Sequence, residues 1–161
     1  MVDTRIAWIV ATRPATIVLI LLTLLLAWPL GRRRGVTGVL FVLAAGLVLA
    51  ATATTRLVHF DVAGVRPYLE QFGDPGYVFG GFGGNVERLC NIVLFLPLGL
   101  LGTLLWRRPA LVLLSCAGLS FLLEAWQAVI GRGGDAIDVV HNTAGAALGV
   151  GFSYLASQGT V

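Results

Sequence analysis

A chain of 161 residues that is 57% hydrophobic and 12% charged carries about half the charge of a water-soluble domain, for which about 25% is usual. That excludes a fully water-facing surface, and the wealth of apolar residues excludes disorder. The net charge of +3 does not indicate nucleic acid: every basic residue is Arg, and the arginines stand at the ends of apolar runs, as charges flanking membrane helices do, rather than on a face that meets phosphates.

Five apolar segments follow in chain order: residues 15–30, 36–55, 89–106, 110–130 and 139–156. Each approaches the roughly 17–25 residues that cross a hydrocarbon core of about 30 Å. Arg5 and Arg13 give the first segment the flank of a signal peptide. Its apolar core is long, however, and Gly31-Arg32-Arg33-Arg34 lacks small-residue cleavage chemistry, so it is expected to remain as a span. Residues 31–35 and 107–109 are tight basic turns, and 131–138 is a short polar loop. Residues 56–88 are longer, with Pro67, Asp74-Pro75-Gly76 and Gly80-Gly81-Phe82-Gly83-Gly84. Glycine-rich tracts break regular structure, and this stretch is expected to be a folded loop on the membrane surface. The expected fold is therefore all-α: one integral membrane domain over residues 1–161, a bundle of five transmembrane helices with one interfacial Gly-rich loop.

Arginine placement sets the orientation. Arg32, Arg33, Arg34, Arg107 and Arg108 crowd the two tight turns, which five spans put on one side. Short loops weigh most in the positive-inside rule, so these turns are expected in the cytoplasm and 131–138 outside. Arg5 and Arg13 count the other way. Cys90 and Cys116 differ in depth by roughly 15 Å, too far for a disulfide, and read as packing residues.

Polar residues inside apolar spans are costly and hence informative. Glu124 and Gln127 interrupt the fourth span at i, i+3 spacing, on one face. Asn91 stands near the outer start of the third span. Arg132, Asp135 and Asp138 lead into the fifth, with His141 and Asn142 one turn inside it. All fall near one depth. Singly, each has a plainer reading. Asp138 suits a helix N-cap and Asp135 a turn, Glu124 suits a structural pair with Arg132, and His141 suits helix-end packing. A zinc site from His59, His141 and carboxylates lacks the close His/Cys spacing such sites show, so no metal or cofactor is expected. Pro97 predicts a kink in the third span. Gly145 and Gly149 form a GxxxG that invites close approach of another helix, internal or from a second copy.

In order, Asn91-x3-Phe95-x-Pro97-x-Gly99, Glu124-x2-Gln127 and Arg132-x2-Asp135-x2-Asp138-x3-Asn142-x2-Gly145 resemble the VanZ-like family, named for a teicoplanin-resistance protein. The motifs cover about residues 91–149, and the core of VanZ-like type spans about 89–157. The resemblance implies a multi-pass protein of the bacterial plasma membrane, with some members linked to reduced susceptibility to teicoplanin-type glycopeptides; it supplies no catalytic mechanism. Three functions are open. In the first, Asn91, Glu124, Gln127, Arg132, Asp135, Asp138 and Asn142 form an outward pocket for a lipid-linked cell-wall precursor or a glycopeptide, since amide and guanidinium groups bond well to sugars, phosphates and carboxylates. In the second, Glu124, Asp135 and Asp138 act as acid and base on a lipid-linked substrate. The third is a small transporter with Glu124 carrying a proton, which the lack of an internal repeat disfavours. Expected partners are the lipid bilayer and, through Gly145 and Gly149, a second copy; nucleic acid is not among them.

Overall fold

The computed structural model describes residues 14–52, 60–80 and 86–158, and every regular element among them is helical. The chain divides into two compact units, Met1–Arg56 and Leu57–Val161. His59, the end of the expected second span at 53–55 and most of the glycine tract lie outside the described residues.

The first unit is a helical hairpin. Helix α1 (Pro14–Gly31) and helix α2 (Gly35–Thr52) are joined by a single 3-10 turn, Arg32–Arg34. Gly35 closes that turn with φ +67°, a left-handed conformation that side chains resist, and its N–H bonds to the Arg32 carbonyl. The arms lie close because glycine faces them. A methyl group at Gly38 would strike the Gly31 carbonyl, and one at Gly46 the side chain of Thr23. Thr23 and Thr52 return their hydroxyls to the carbonyls of Leu19 and Val48, at 2.7 and 2.6 Å, so neither donor is left bare among apolar neighbours.

The second unit begins with short helices where the sequence predicts a glycine-broken loop. A 3-10 turn (Val62–Gly64), helix α3 (Val65–Glu70), another 3-10 turn (Gln71–Gly73) and helix α4 (Pro75–Gly80) follow one another with little irregular chain between them. Local capping accounts for this. Asp61 Oδ1 accepts from the Ala63 N–H at 2.9 Å, and Asp74 Oδ1 from the Tyr77 N–H at 3.1 Å. Three long helices complete the unit: α5 (Val86–Trp106), α6 (Pro109–Val129) and α7 (Ala136–Gln158). Helix α5 runs through Pro97, and Pro109 opens α6 at a position where a missing N–H costs nothing.

Helices α5 and α7 pack through small residues. A side chain at Gly145 would strike the Ile92 carbonyl, one at Gly149 the Leu96 carbonyl, and one at Gly99 the Ala146 carbonyl. Of the two partners left open for the GxxxG, a neighbouring helix or a second copy, the described residues supply the internal one, and this contact occupies the glycine face. The described residues invert the pattern of a soluble protein. Leu25, Trp28, Val93, Leu114, Leu122 and Leu155 are exposed, whereas Ser120, Glu124, His141 and Asn142 are buried. Among the described residues, three stretches are long and apolar enough to cross a membrane: Thr16–Thr52, which holds both arms of the hairpin, Val86–Trp106 and Pro109–Val129.

Candidate functional site

At one end of the second unit the termini of α5, α6 and α7 meet beneath the short helices of residues 62–80. Glu124, only 3% exposed, stands near the end of α6. Its Oε2 accepts the backbone N–H of Asp135 at 3.1 Å, and its Oε1 accepts from Gln127 Nε2 at 3.4 Å. A side chain at Gly134 would collide with the Glu124 carbonyl, so only glycine lets the loop descend far enough for the Asp135 N–H to reach the carboxylate. Arg132 is exposed and lies within electrostatic reach of Glu124. Its backbone N–H bonds to the Gln127 carbonyl at 2.9 Å.

Asp135, not Asp138, caps α7. Its Oδ1 accepts from the Ile137 N–H at 2.8 Å and from the Tyr77 hydroxyl at 3.3 Å. Asp138 sits in the first turn of α7, where it bonds the Asn91 side chain of α5 and feels the charges of Asp135 and Glu87. One turn deeper, Asn142 Nδ2 donates to Ser120 Oγ at 2.9 Å across the α6–α7 contact. Asn142 is 1% exposed, and its Oδ1 has no hydrogen-bond partner among the described residues. His141, also buried, holds the Ile137 carbonyl through Nδ1 at 2.7 Å. The pairings Asp135–Glu124 and Asn142–Ser120 run antiparallel, so Glu124 and Asp138 share one level and Ser120 and Asn142 the level below.

The short helices are tied to this end by groups that composition does not single out. The Gln71 side chain grips the loop on both sides of Asp135, donating to the Gly134 carbonyl at 3.2 Å and accepting from the Ala136 N–H at 2.8 Å. Tyr68, buried, donates to the Phe121 carbonyl at 3.2 Å and packs its ring with Phe72 and Phe121. The Asp61 N–H bonds the Val129 carbonyl at 2.8 Å, and Phe60 stands edge-on to Trp126. Burial, and then the Glu124 charge, push the Tyr68 phenol above its ordinary range; burial, and then Asp135, do the same for Tyr77. Both therefore act as neutral donors. Among the described residues no three His, Cys, Asp or Glu side chains are grouped to hold a metal ion.

This geometry belongs to a chain whose residues 15–157 match the family model VanZ/LLP1. The chain belongs to the VanZ/LLP1 family. No curated protein and no solved structure matches it. The VanZ/LLP1 match takes in α1 and α2, whereas the motifs that carry the sequence resemblance begin only at Asn91. Of the residues singled out from sequence in this VanZ/LLP1 chain, Glu124, Gln127 and Asp135 are joined by hydrogen bonds, Arg132 lies within electrostatic reach of Glu124, and Asp138 joins Asn91. Asn142 stands one turn deeper on Ser120. Gly99, Gly145 and Gly149 serve the α5–α7 contact instead, and Pro97 lies inside α5. Sequence reading missed Gln71, Tyr68, Tyr77 and Ser120. For Tyr68 and Tyr77 the signal was that residues 56–88 hold most of the aromatic residues outside the spans; Gln71 and Ser120 carried none.

Proposed function

We propose that this VanZ/LLP1 protein is a binding or accessory protein of the bacterial plasma membrane, with α7 as a fifth span and the polar end of α5–α7 facing outward. There Asn91, Glu124, Gln127, Arg132, Asp135, Asp138 and Asn142 receive the polar head of a lipid-linked envelope precursor or a glycopeptide. The observation that carries this reading is Asn142: a deeply buried amide oxygen without a donor has a cost of about 1–3 kcal/mol, which a ligand hydroxyl or amine, or a water it displaces, would relieve. Helix α7 has 23 residues, about 34 Å at the helical rise, long enough to span. Glu124 accepts a backbone N–H and an amide and lies beneath the loop, an arrangement that favours holding the site over turning over a substrate.

The test uses the purified protein in nanodiscs with a labelled lipid-linked peptidoglycan precursor and with teicoplanin. Saturable binding of either without turnover, lost in Asn142→Leu, supports the binding reading. Conversion of the precursor replaces it with the enzyme reading, in which Glu124, Asp135 and Asp138 are the acid–base groups. Flux across sealed vesicles replaces it with transport. Raised teicoplanin tolerance in a susceptible host expressing the protein, absent with Asn142→Leu, would extend the reading to resistance.

A further inference from the structure

The polar end of α5–α7 has a sign, and the sign selects among head groups. Its acidic side chains lie near enough to act on one another: Asp135 and Asp138 on Glu124, and Asp135 and Glu87 on Asp138. Against these four carboxylates stand the Arg132 guanidinium, which acts on Glu124, that of Arg88, which acts on Tyr77, and the His141 imidazole, which acts on Asp138. A phosphate or carboxylate brought to Asp138 meets like charge, which is unfavourable, whereas a cation is drawn in. Below Asp138 lies an unmet acceptor. Asn142 is 1% exposed, its Nδ2 is spent on Ser120 Oγ of α6, and its Oδ1 has no hydrogen-bond partner among the described residues. Residues four apart share a helix face, and side chains lean towards the helix N-terminus. Asn142 therefore leans towards the turn that holds Asp138, about 6 Å above it, with Oδ1 on the arm of the amide not taken by α6. Asp138 and Asn91 are half-buried and Glu87 is exposed, so the turn above Asn142 is reachable from the surface. An acceptor without a donor, set beneath carboxylates, fits a ligand group that is donor and cation at once.

We infer that the polar end recognises a primary ammonium group, seated between the Asp138 carboxylate and the Asn142 amide oxygen. The inference rests on the reading of this end as a head-group site. A primary ammonium is a compact charge with three N–H donors. One donor meets Asn142 Oδ1, one meets the Asp138 carboxylate, and the third is left for water. A trimethylammonium group has the same charge and no donor, so it offsets the carboxylates but leaves Asn142 unmatched. A free stem-peptide amine on a lipid-linked precursor and the ethanolamine head of a phospholipid both present the required group.

The test measures binding to the purified protein in phosphatidylglycerol nanodiscs with two matched pairs of probes. One pair is a labelled lipid-linked peptidoglycan precursor with its stem-peptide amine free and the same precursor with that amine acetylated. The other is labelled phosphatidylethanolamine and labelled phosphatidylcholine. Hydrogen bonds to charged groups are the strong ones, so the primary-ammonium member of a pair should bind about tenfold tighter or more. A preference within the first pair assigns the ammonium to the precursor, and one within the second to a phospholipid; either supports the inference. Asp138→Asn, which keeps an oxygen for Asn91, should abolish the preference with the melting midpoint retained. Glu87→Gln, at an exposed position, should reduce it less and leaves folding untouched. Saturable binding that is equal within both pairs would overturn the inference and keep the head-group site. A preference that persists in both Asp138→Asn and Glu87→Gln would place the amine elsewhere and overturn it too. No saturable binding of any of the four probes would remove the head-group reading and the inference together.

Discussion

Glu124 is the one charged residue of α6. Its carboxylate receives the Asp135 N–H, the donor that brings the α6–α7 loop down onto the bundle. Removing the acceptor leaves that N–H unmet at a cost of about 1–3 kcal/mol, so Glu124→Ala should lower the thermal midpoint in detergent clearly. Glu124→Gln, which retains a carbonyl oxygen, should lower it less. Asn142→Leu should behave in the opposite sense. It removes an amide whose oxygen is unmatched and leaves only Ser120 to find another partner, so stability should change by no more than about 1 kcal/mol while ligand binding disappears; a large loss of stability with binding intact would make the residue structural. The tyrosines add a pH dependence. Tyr68 and Tyr77 have folded-state pKa values raised above the ordinary value of about 10. The folded chain therefore keeps protons that the unfolded chain releases, and the stability they contribute is full below pH about 10 and is lost as pH rises towards the folded values. Melting midpoints measured from pH 8 to 11 should fall at the alkaline end, less steeply in Tyr77→Phe. Glu124, Gln127, Asp138 and Asn142 were legible in the sequence because polar groups within apolar runs are costly. Gln71 and Tyr77 were not, because a glutamine and a tyrosine in a polar connector look like any solvated pair until the chain folds over the loop.

Among the elements, the α5–α7 contact is the most demanding. Gly145 and Gly149 face the carbonyls of Ile92 and Leu96 with no room for a side chain, and Gly99 does the same in reverse against Ala146. Overpacking typically costs about 1–3 kcal/mol, and here the obstacle is backbone, which cannot turn aside. Gly149→Leu should therefore reduce the melting midpoint strongly in detergent and in lipid alike. Gly151→Ala, two residues away on the open side, should be neutral or slightly stabilising, since alanine is the better helix former by up to about 1 kcal/mol. Equal behaviour of the two variants would count against the packing. The GxxxG spacing made a close helix contact legible, but not its partner, because the spacing describes one surface only. Likewise the short helices of 62–80 were hidden: Asp61 and Asp74 are capping residues, yet in a stretch rich in glycine and proline the same residues signal turns, and only the docking of Tyr68 and Phe72 onto Phe121 decides between them.

At the scale of the whole molecule, sparse charge makes the membrane legible in the composition, the exposed leucines agree with it, and the turns carry the expectation for orientation. Arg32, Arg33 and Arg34 form the exposed turn of the hairpin, and Arg107 and Arg108 the exposed junction between α5 and α6. Under the positive-inside rule both belong in the cytoplasm. With the five spans expected from the sequence, both turns would lie on that side and the Glu124 end outside. Arg5 and Arg13 count the other way. Single cysteines in a Cys90→Ser, Cys116→Ser background supply the measurement. Gly73→Cys suits the outer position, because Gly73 is exposed and a side chain there meets nothing within 4 Å. Gly134→Cys does not, because it would strike the Glu124 carbonyl and disrupt the end it reports on. In intact cells a membrane-impermeant maleimide should label Gly73→Cys, and it should label Arg33→Cys and Arg108→Cys only after permeabilisation. Protection of Gly73→Cys with labelling of both arginine positions would invert the molecule and turn the polar end towards the cytoplasm, where an envelope glycopeptide does not reach it. Labelling of only one of Arg33→Cys and Arg108→Cys would place the two turns on opposite sides. An odd number of crossings would then separate them, and the five-span count would fall with the orientation derived from it.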